Sequence, residues 1–130
     1  MAGFSDYLED KVLNHVFGGN AFTAPSTLHV ALYTVAPTDT GGGTEVSGGG
    51  YTRKTATFTV SGTNPTQASN TAAIEYPTAT ANYGTVVAVG IFDASSSGNL
   101  LAYANLTSSK VVSTGDVFRF NAGDLDITLA

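Results

Sequence analysis

Apolar residues recur every three to four positions from Phe4 to Phe17, where Phe4, Leu8, Val12 and Val16, joined by Leu13 and Phe17, make one helical stripe. Ser5 suits an N-cap, Asp6, Glu9 and Asp10 suit the positive end of a helix dipole, and Gly18-Gly19 suits a stop. A short amphipathic helix from about Ser5 to Phe17 is predicted. Such a stripe either plugs the end of its own β-core or docks on a neighbouring subunit.

After Pro25 the period becomes two. Leu28, Val30 and Leu32 alternate with His29, Ala31 and Tyr33, the pattern of a half-buried strand. From Tyr51 to Val60 the chain reads as one strand, with Ala56, Phe58 and Val60 inward and a hydroxyl-rich outer face of Thr55, Thr57 and Thr59. Further strands are expected at Thr71–Tyr76, Thr85–Asp93, Leu100–Leu106, Asp116–Asn121 and Asp124–Leu129. Val86–Phe92 is almost continuously apolar and should lie centrally with both faces covered. The last strand should turn Leu125, Ile127 and Leu129 inward.

Glycine, serine and asparagine punctuate the connections at Thr40–Gly50, Ser61–Asn70, Ala94–Asn99 and Ser113–Asp116. Short strands at this spacing predict a mainly β fold: an N-terminal α-helix packed on an antiparallel β-sandwich of about seven to eight strands. Hairpins are expected between Thr85–Asp93 and Leu100–Leu106, at Ser113-Thr114-Gly115 into the Phe118–Phe120 strand, and at Ala122-Gly123 into the last strand. The core should hold Leu28, Val30, Leu32, Phe58, Val87, Val89, Ile91, Phe118, Phe120, Leu125 and Ile127. One domain is expected over residues 1–130, the helix in 1–19 and the sandwich in 26–130; 130 residues suffice to bury roughly two-thirds of the unfolded surface.

Composition narrows the function. Charged residues make up only 12% of the chain, and the net charge is −5. The basic residues Lys11, Arg53, Lys54, Lys110 and Arg119 form no run, which argues against nucleic acid and anionic membrane as partners. The absence of cysteine removes disulfides, thiolate nucleophiles and cysteine-held metals. No basic and apolar leader is visible, so synthesis in the cytoplasm is expected.

Little here carries chemistry. The triplets Gly41-Gly42-Gly43 and Gly48-Gly49-Gly50 lack the Gly-Lys-Ser/Thr and helix of a phosphate loop. The segment Ala36–Gly50 is either an arm that orders on a partner or a solvated loop. His15 and His29 are the only histidines, and no G-x-S-x-G accompanies them, so neither catalytic nor cofactor-binding residues are assigned. Asp116, Asp124 and Asp126 are the oxygen ligands that a calcium ion would want, but they are more simply turn and strand-face residues. The tyrosines are scattered and there is no Trp, which disfavours a sugar-cleaving cleft.

The stretch from Ala36-Pro37-Thr38-Asp39 through Gly50-Tyr51-Thr52-Arg53 resembles a signature of small tailed-phage and prophage virion structural proteins, commonly labelled tail fibre or minor tail proteins. Asn70-Thr71-Ala72-Ala73-Ile74, Gly90-Ile91-Phe92-Asp93-Ala94, Gly98-Asn99-Leu100-Leu101, Gly115-Asp116 and Ala122-Gly123-Asp124-Leu125 fit the same pattern. So do Tyr7-Leu8-Glu9 and Gly18-Gly19, and the likeness spans nearly the whole chain. It departs at Tyr83, where Trp is expected. The resemblance implies a virion location and an assembly role rather than an enzyme.

The expected function is therefore an accessory structural protein of a tailed bacteriophage, either a capsid decoration (cement) protein or a tail-associated subunit. It would act by symmetric contacts with itself as a homo-oligomer and with major capsid or tail proteins. The alternative is a receptor- or glycan-binding module recognising cell-surface glycan. Expected contacts are Thr40, Gly41, Gly42, Gly43, Glu45, Val46, Thr55, Thr57 and Thr59. On this reading, shortening Gly41–Gly50 leaves folding nearly intact.

Overall fold

A computed structural model describes residues 2–129. In chain order the elements are β1 (Ala2–Phe4), α1 (Asp6–Val16), β2 (Leu28–Val35), β3 (Thr44–Glu45), β4 (Lys54–Ala56), β5 (Phe58–Ser61), β6 (Thr66–Asn70), β7 (Ile74–Glu75), β8 (Gly84–Phe92), β9 (Leu100–Val112), β10 (Arg119–Phe120) and β11 (Asp126–Leu129). The mainly β, antiparallel fold with a helix near the N-terminus forms as expected.

The largest sheet runs β1-β9-β8-β2-β3, with β4 also pairing β2; β11-β6-β5 and β10-β7 form two smaller sheets. Every pairing is antiparallel. Val30, Leu32, Val89 and Ile91 from the large sheet meet Ile74, Phe118 and Phe120 from β7 and the β10 segment in the main core. Leu28, Phe58, Leu125 and Ile127 are half-buried against it. The side chain of Leu129, expected inward, lies outside the described residues.

An aromatic chain runs through this core. Tyr83 meets Tyr51 edge-on, Tyr51 stacks on Tyr76, and Tyr76, Phe118 and Phe120 continue in T-shaped contacts. Tyr76 is 1% exposed, and its hydroxyl donates to the Val30 carbonyl at 2.8 Å, so it is buried without an orphaned polar atom.

The other face of the large sheet corrects the half-buried reading of β2. Ala31, Tyr33, Ala88, Phe92 and Leu100 form a second buried cluster on it. Small residues let chain approach closely there. At Gly90 an added Cβ would come within 2.9 Å of both the Tyr33 ring and Leu100. Val87, expected in the main core, is half-buried against this second cluster instead.

Among the described residues there are eleven strands where seven to eight were expected, because long candidates break and connections contain short strands. Tyr51–Val60 is two strands: β4 joins β2, whereas β5 leaves for β6, so the chain changes sheet at Thr57. The connection Ser61–Asn70 contains β6, and Thr40–Gly50 contains β3. The β5–β6 hairpin runs out past the core, which leaves Val60 69% exposed rather than inward. Of Thr71–Tyr76 and Asp116–Asn121 only Ile74–Glu75 and Arg119–Phe120 are strand. Turns do form at Ser113–Asp116 and Asn121–Asp124, but β10 pairs β7 and β11 pairs β6, so neither turn closes the expected hairpin.

The β8–β9 hairpin forms as expected, and β9 continues to Val112. Val86 faces Lys110 while Ala88 faces Asn105, so Leu106–Ser109 bulge out opposite Val87 alone.

Helix α1 begins at the expected cap. Ser5, 2% exposed, accepts from the Leu8 N–H at 3.2 Å and donates to the Leu100 carbonyl at 2.5 Å. Its own N–H donates to the Leu101 carbonyl, and that of Asp6 to the Asp39 carbonyl. Phe4, expected in the helical stripe, lies instead in β1 opposite Ala102. The helix is thus held at its first turn, and its stripe is not a plug: Leu13, Val16 and Phe17 are 58%, 59% and 83% exposed.

Candidate functional site

The segment Ala36–Gly50 is anchored at two levels. Val46 is buried in the main core, and its N–H donates to the Leu32 carbonyl at 2.9 Å. Glu45 pairs with Arg53, whose Nε and Nη2 donate to the two carboxylate oxygens at 2.9 Å each. The Tyr51 hydroxyl also donates to Glu45, at 2.7 Å, and accepts from the Leu32 N–H. Arg53 Nη1 reaches the carbonyls of Ala94 and Ser97, and the guanidinium carbon lies 3.8 Å from the centre of the Phe92 ring. One side chain therefore ties the glycine segment to the Ala94–Asn99 connection.

Electrostatics follow this geometry. Burial pushes the Glu45 carboxyl up, but hydrogen bonds from Arg53 and Tyr51 and the guanidinium charge outweigh it, so its pKa lies below the usual value. The hydrogen bond to Glu45 raises Arg53 in turn. Burial drives the Tyr51 hydroxyl far above its ordinary range, reinforced by its bond to Glu45. Tyr33 is pushed up to about 12, first by burial and then by the Glu45 charge.

What remains exposed in the segment is narrower than the expected arm. Thr38 and Gly41 bridge each other, and Thr40 meets the Thr38 hydroxyl at 3.1 Å, so Thr38–Gly42 is a tight outlying turn. The second triplet is held at its middle residue: the Gly49 carbonyl accepts from the Thr80 N–H, and a Cβ at Gly49 would lie 2.7 Å from the Ala81 carbonyl oxygen. β3, Val46 and the Glu45 pair all lie within Gly41–Gly50, so a shortening that leaves folding intact has to spare them.

Thr55, Thr57 and Thr59 are all exposed, as a hydroxyl face requires, although Thr55 lies in β4, Thr59 in β5 and Thr57 between the two sheets. Thr57 shares a hydroxyl contact of 2.5 Å with Thr71. Asp124 and Asp126 line one groove and Asp116 does not, and each of the three is engaged. Asp116 accepts from the Ser113 N–H, Asp124 from the Asn121 N–H, and Asp126 from the Ser69 hydroxyl. Among the described residues no group of three or more His, Cys, Asp or Glu is arranged to hold a metal ion. His15 accepts from the Phe22 N–H at 3.1 Å, and His29 sits in β2 between Thr55 and Phe92.

Sequence reasoning did not single out a cleft on the second face of the large sheet. It measures about 560 Å³ and lies where the first turn of α1, the Thr38–Gly42 turn and the Gly98–Leu100 end of the β8–β9 connection converge. Tyr33 and Phe92 form part of it, with Asp6, Tyr7, Asp39 and Asn99 around them. The Tyr103 hydroxyl donates to Asp39 Oδ1, and Asn99 donates its side-chain amide to Asp93 Oδ2 at 2.9 Å. The only signal in the sequence was the alternation of β2, which had placed Tyr33 outward.

Residues 3–128 match the model of a family described as Podophage GP4 fiber I protein gp80. A comparison with curated proteins found no match.

Proposed function

Because the chain belongs to the podophage GP4 fiber I protein gp80 family, whose members are structural proteins of the virion, we propose that it is a tail-associated fibre subunit acting by repeated protein–protein contacts and not by catalysis. The family match over residues 3–128 carries this reading and favours a tail position over capsid cement.

The structure supports three contact surfaces. Leu13, Val16 and Phe17 present an uncovered apolar stripe on α1. Thr55, Thr57 and Thr59 offer neutral hydroxyls, which desolvate at lower cost than charges. The Thr38–Gly42 turn lies by Tyr33 and Phe92, on the face of β2 opposite the main core. Repetition on a symmetric particle makes individually weak contacts of this kind add.

The test is to produce particles carrying Val16→Ser with Phe17→Ser, and separately Thr57→Lys with Thr59→Lys. Both proteins should fold, since exposed positions usually change stability by less than about 0.5 kcal/mol. At least one should be depleted from purified virions. Full incorporation of both, with normal tails, would remove these surfaces from the assembly.

A second reading, a receptor- or glycan-binding module, is favoured by the cleft beside Tyr33.

A further inference from the structure

We propose that β1 and α1 form an arm exchanged between copies of the chain, so that β1 of one copy pairs with β9 of the next. The inference rests on the assembly reading above and adds the partner, a second copy of this chain.

The arm is fastened to the sheets at its beginning only. Gly3 and Phe4 lie opposite Tyr103 and Ala102 of β9. Ser5 closes the junction, its N–H donating to the Leu101 carbonyl at 2.8 Å and its hydroxyl to the Leu100 carbonyl. The Asp6 N–H adds the bond to the Asp39 carbonyl at 2.9 Å. Past that point no hydrogen bond among the described residues runs from residues 7–17 to the strands, and no residue of α1 is buried. An eleven-residue helix without a packed face is marginal in water.

The connection from α1 to β2 is built to open. Residues 18–27 are exposed except for Phe22 and Pro25, which are half-buried. Their hydrogen bonds run back to the helix: the Gly18 and Asn20 N–H groups donate to the Asn14 carbonyl, and the Phe22 N–H donates to His15. Among the described residues none is made from Thr23 to Thr27, so this stretch can straighten without breaking one. Fully extended, the ten residues reach roughly 33 Å. Pro25 biases Ala24 towards extended backbone and away from a tight return. Arm and sheets are thus two bodies on a tether.

Exchange keeps what the arm already makes. The same register against β9 and the same Ser5 bonds form on the neighbour, so the cost is mainly that of bringing copies together, which repetition on a particle meets. Something is also gained. Within one chain Leu13, Val16 and Phe17 stand 58%, 59% and 83% exposed. After exchange the first turn of α1 sits on the neighbour, while Phe17 stays ten residues from its own β2. The apolar end of the helix then lies between two bodies, where water can be excluded from it. Phe17 is held ready for that position, since its N–H donates to the Leu13 carbonyl and Gly19, at φ +74°, turns the chain away after it. Each β9 edge still receives one arm, so reciprocal exchange closes a pair and one-way exchange builds a ring or filament.

The chain contains no cysteine, so an introduced pair reports on itself alone. Gly3→Cys with Tyr103→Cys places the two thiols directly opposite each other, and a Cβ at Gly3 meets nothing within 4 Å. Opposed Cα atoms of antiparallel strands stand about 4.5–5.5 Å apart, within the span of a disulfide. Purified particles carrying this variant, and the concentrated purified protein, are oxidised, denatured and run on a gel without reductant. Most of the chain from particles should appear as covalent dimers or longer species, whereas protein oxidised when dilute should give monomers with an internal bond. Internal bonds alone in both particles and concentrated protein would overturn the exchange and leave the assembly reading standing. Covalent dimers from concentrated protein, with the chain missing from particles, would keep the exchange and overturn the assembly reading. If the variant fails to fold or its thiols stay free, isotope-filtered NMR on the native protein, half of it labelled, reads the same junction. Cross-peaks between labelled and unlabelled chains at Phe4 and Ala102 are expected, and cross-peaks confined to single chains would overturn the exchange.

Discussion

The Arg53 guanidinium is nearly out of water, its side chain 6% exposed, with Glu45 on one side, the Phe92 ring beneath it and two carbonyls at its remaining hydrogens. Replacing it by methionine keeps much of the packing but strands the Glu45 charge, which is half sheltered. A loss of about 3 kcal/mol is expected, read as a shift in the urea midpoint without change in slope. The same pair sets an acid limit. Glu45 has a folded pKa below its unfolded value of 4.5, so its contribution is complete above that pH and is lost as pH falls through the folded value. Asp93, held down by hydrogen bonds from Asn99 against the opposing effect of burial, adds in the same direction. Urea midpoints should be flat near neutrality and decline below about pH 4.5, with a shallower decline in Arg53→Met. An equal decline in both proteins would show that the Glu45 pair does not set it.

At the scale of elements, the glycine segment separates into a part that folds the protein and a part that does not. Val46→Ala should cost about 2 kcal/mol by thermal or urea unfolding, because Val46 is 4% exposed in the main core. Replacing Gly41-Gly42 by Asn-Gly should cost far less, since both glycines stand clear of neighbouring atoms and Asn tolerates the positive φ there. Much of the architecture was legible where a pattern ran long enough: α1 with its Ser5 cap, β2 and the β8–β9 hairpin. Strands of two or three residues, such as β1, β3, β7 and β10, carry no period and are defined only by partners distant in the chain. Which face of β2 is buried was legible for Val30 and Leu32, but not for Ala31 and Tyr33. Their cover comes from chain that returns over the sheet, and alternation cannot register such cover. The Arg53 pin and the cleft escaped notice for the same reason, since Arg53, Phe92, Asp39 and Asn99 belong to four separate stretches.

For the whole molecule, what distinguishes the surface is how few charges it has to offer. Arg53 and Glu45 are engaged with each other, and the exposed Arg119–Glu75 pair at 3.1 Å is of a kind worth little in water. If the apolar stripe of α1 and the threonine face make the contacts in the particle, association should barely respond to ionic strength. Sedimentation or light scattering at about 0.1 M and 1 M salt should give the same state, because screening acts on ion pairs and not on apolar or hydroxyl contacts. Dissociation at high salt would point instead to the scattered lysines and aspartates.

The bulge of Leu106–Ser109 bears on what happens when many copies are crowded together. Beyond Ala104, where β1 ends its pairing, β9 runs on without a strand on that side through Asn105–Val112, a mixture of Asn, Thr, Ser, Leu and Val with a single lysine. A flat edge of that composition is a template on which identical chains can zip end to end into fibrillar aggregates. Four extruded residues opposite one break the spacing of donors and acceptors, so a second copy cannot continue the ladder in register. The irregularity thus works as an insulator against runaway stacking, since copies that meet edge to edge find no continuous ladder to extend.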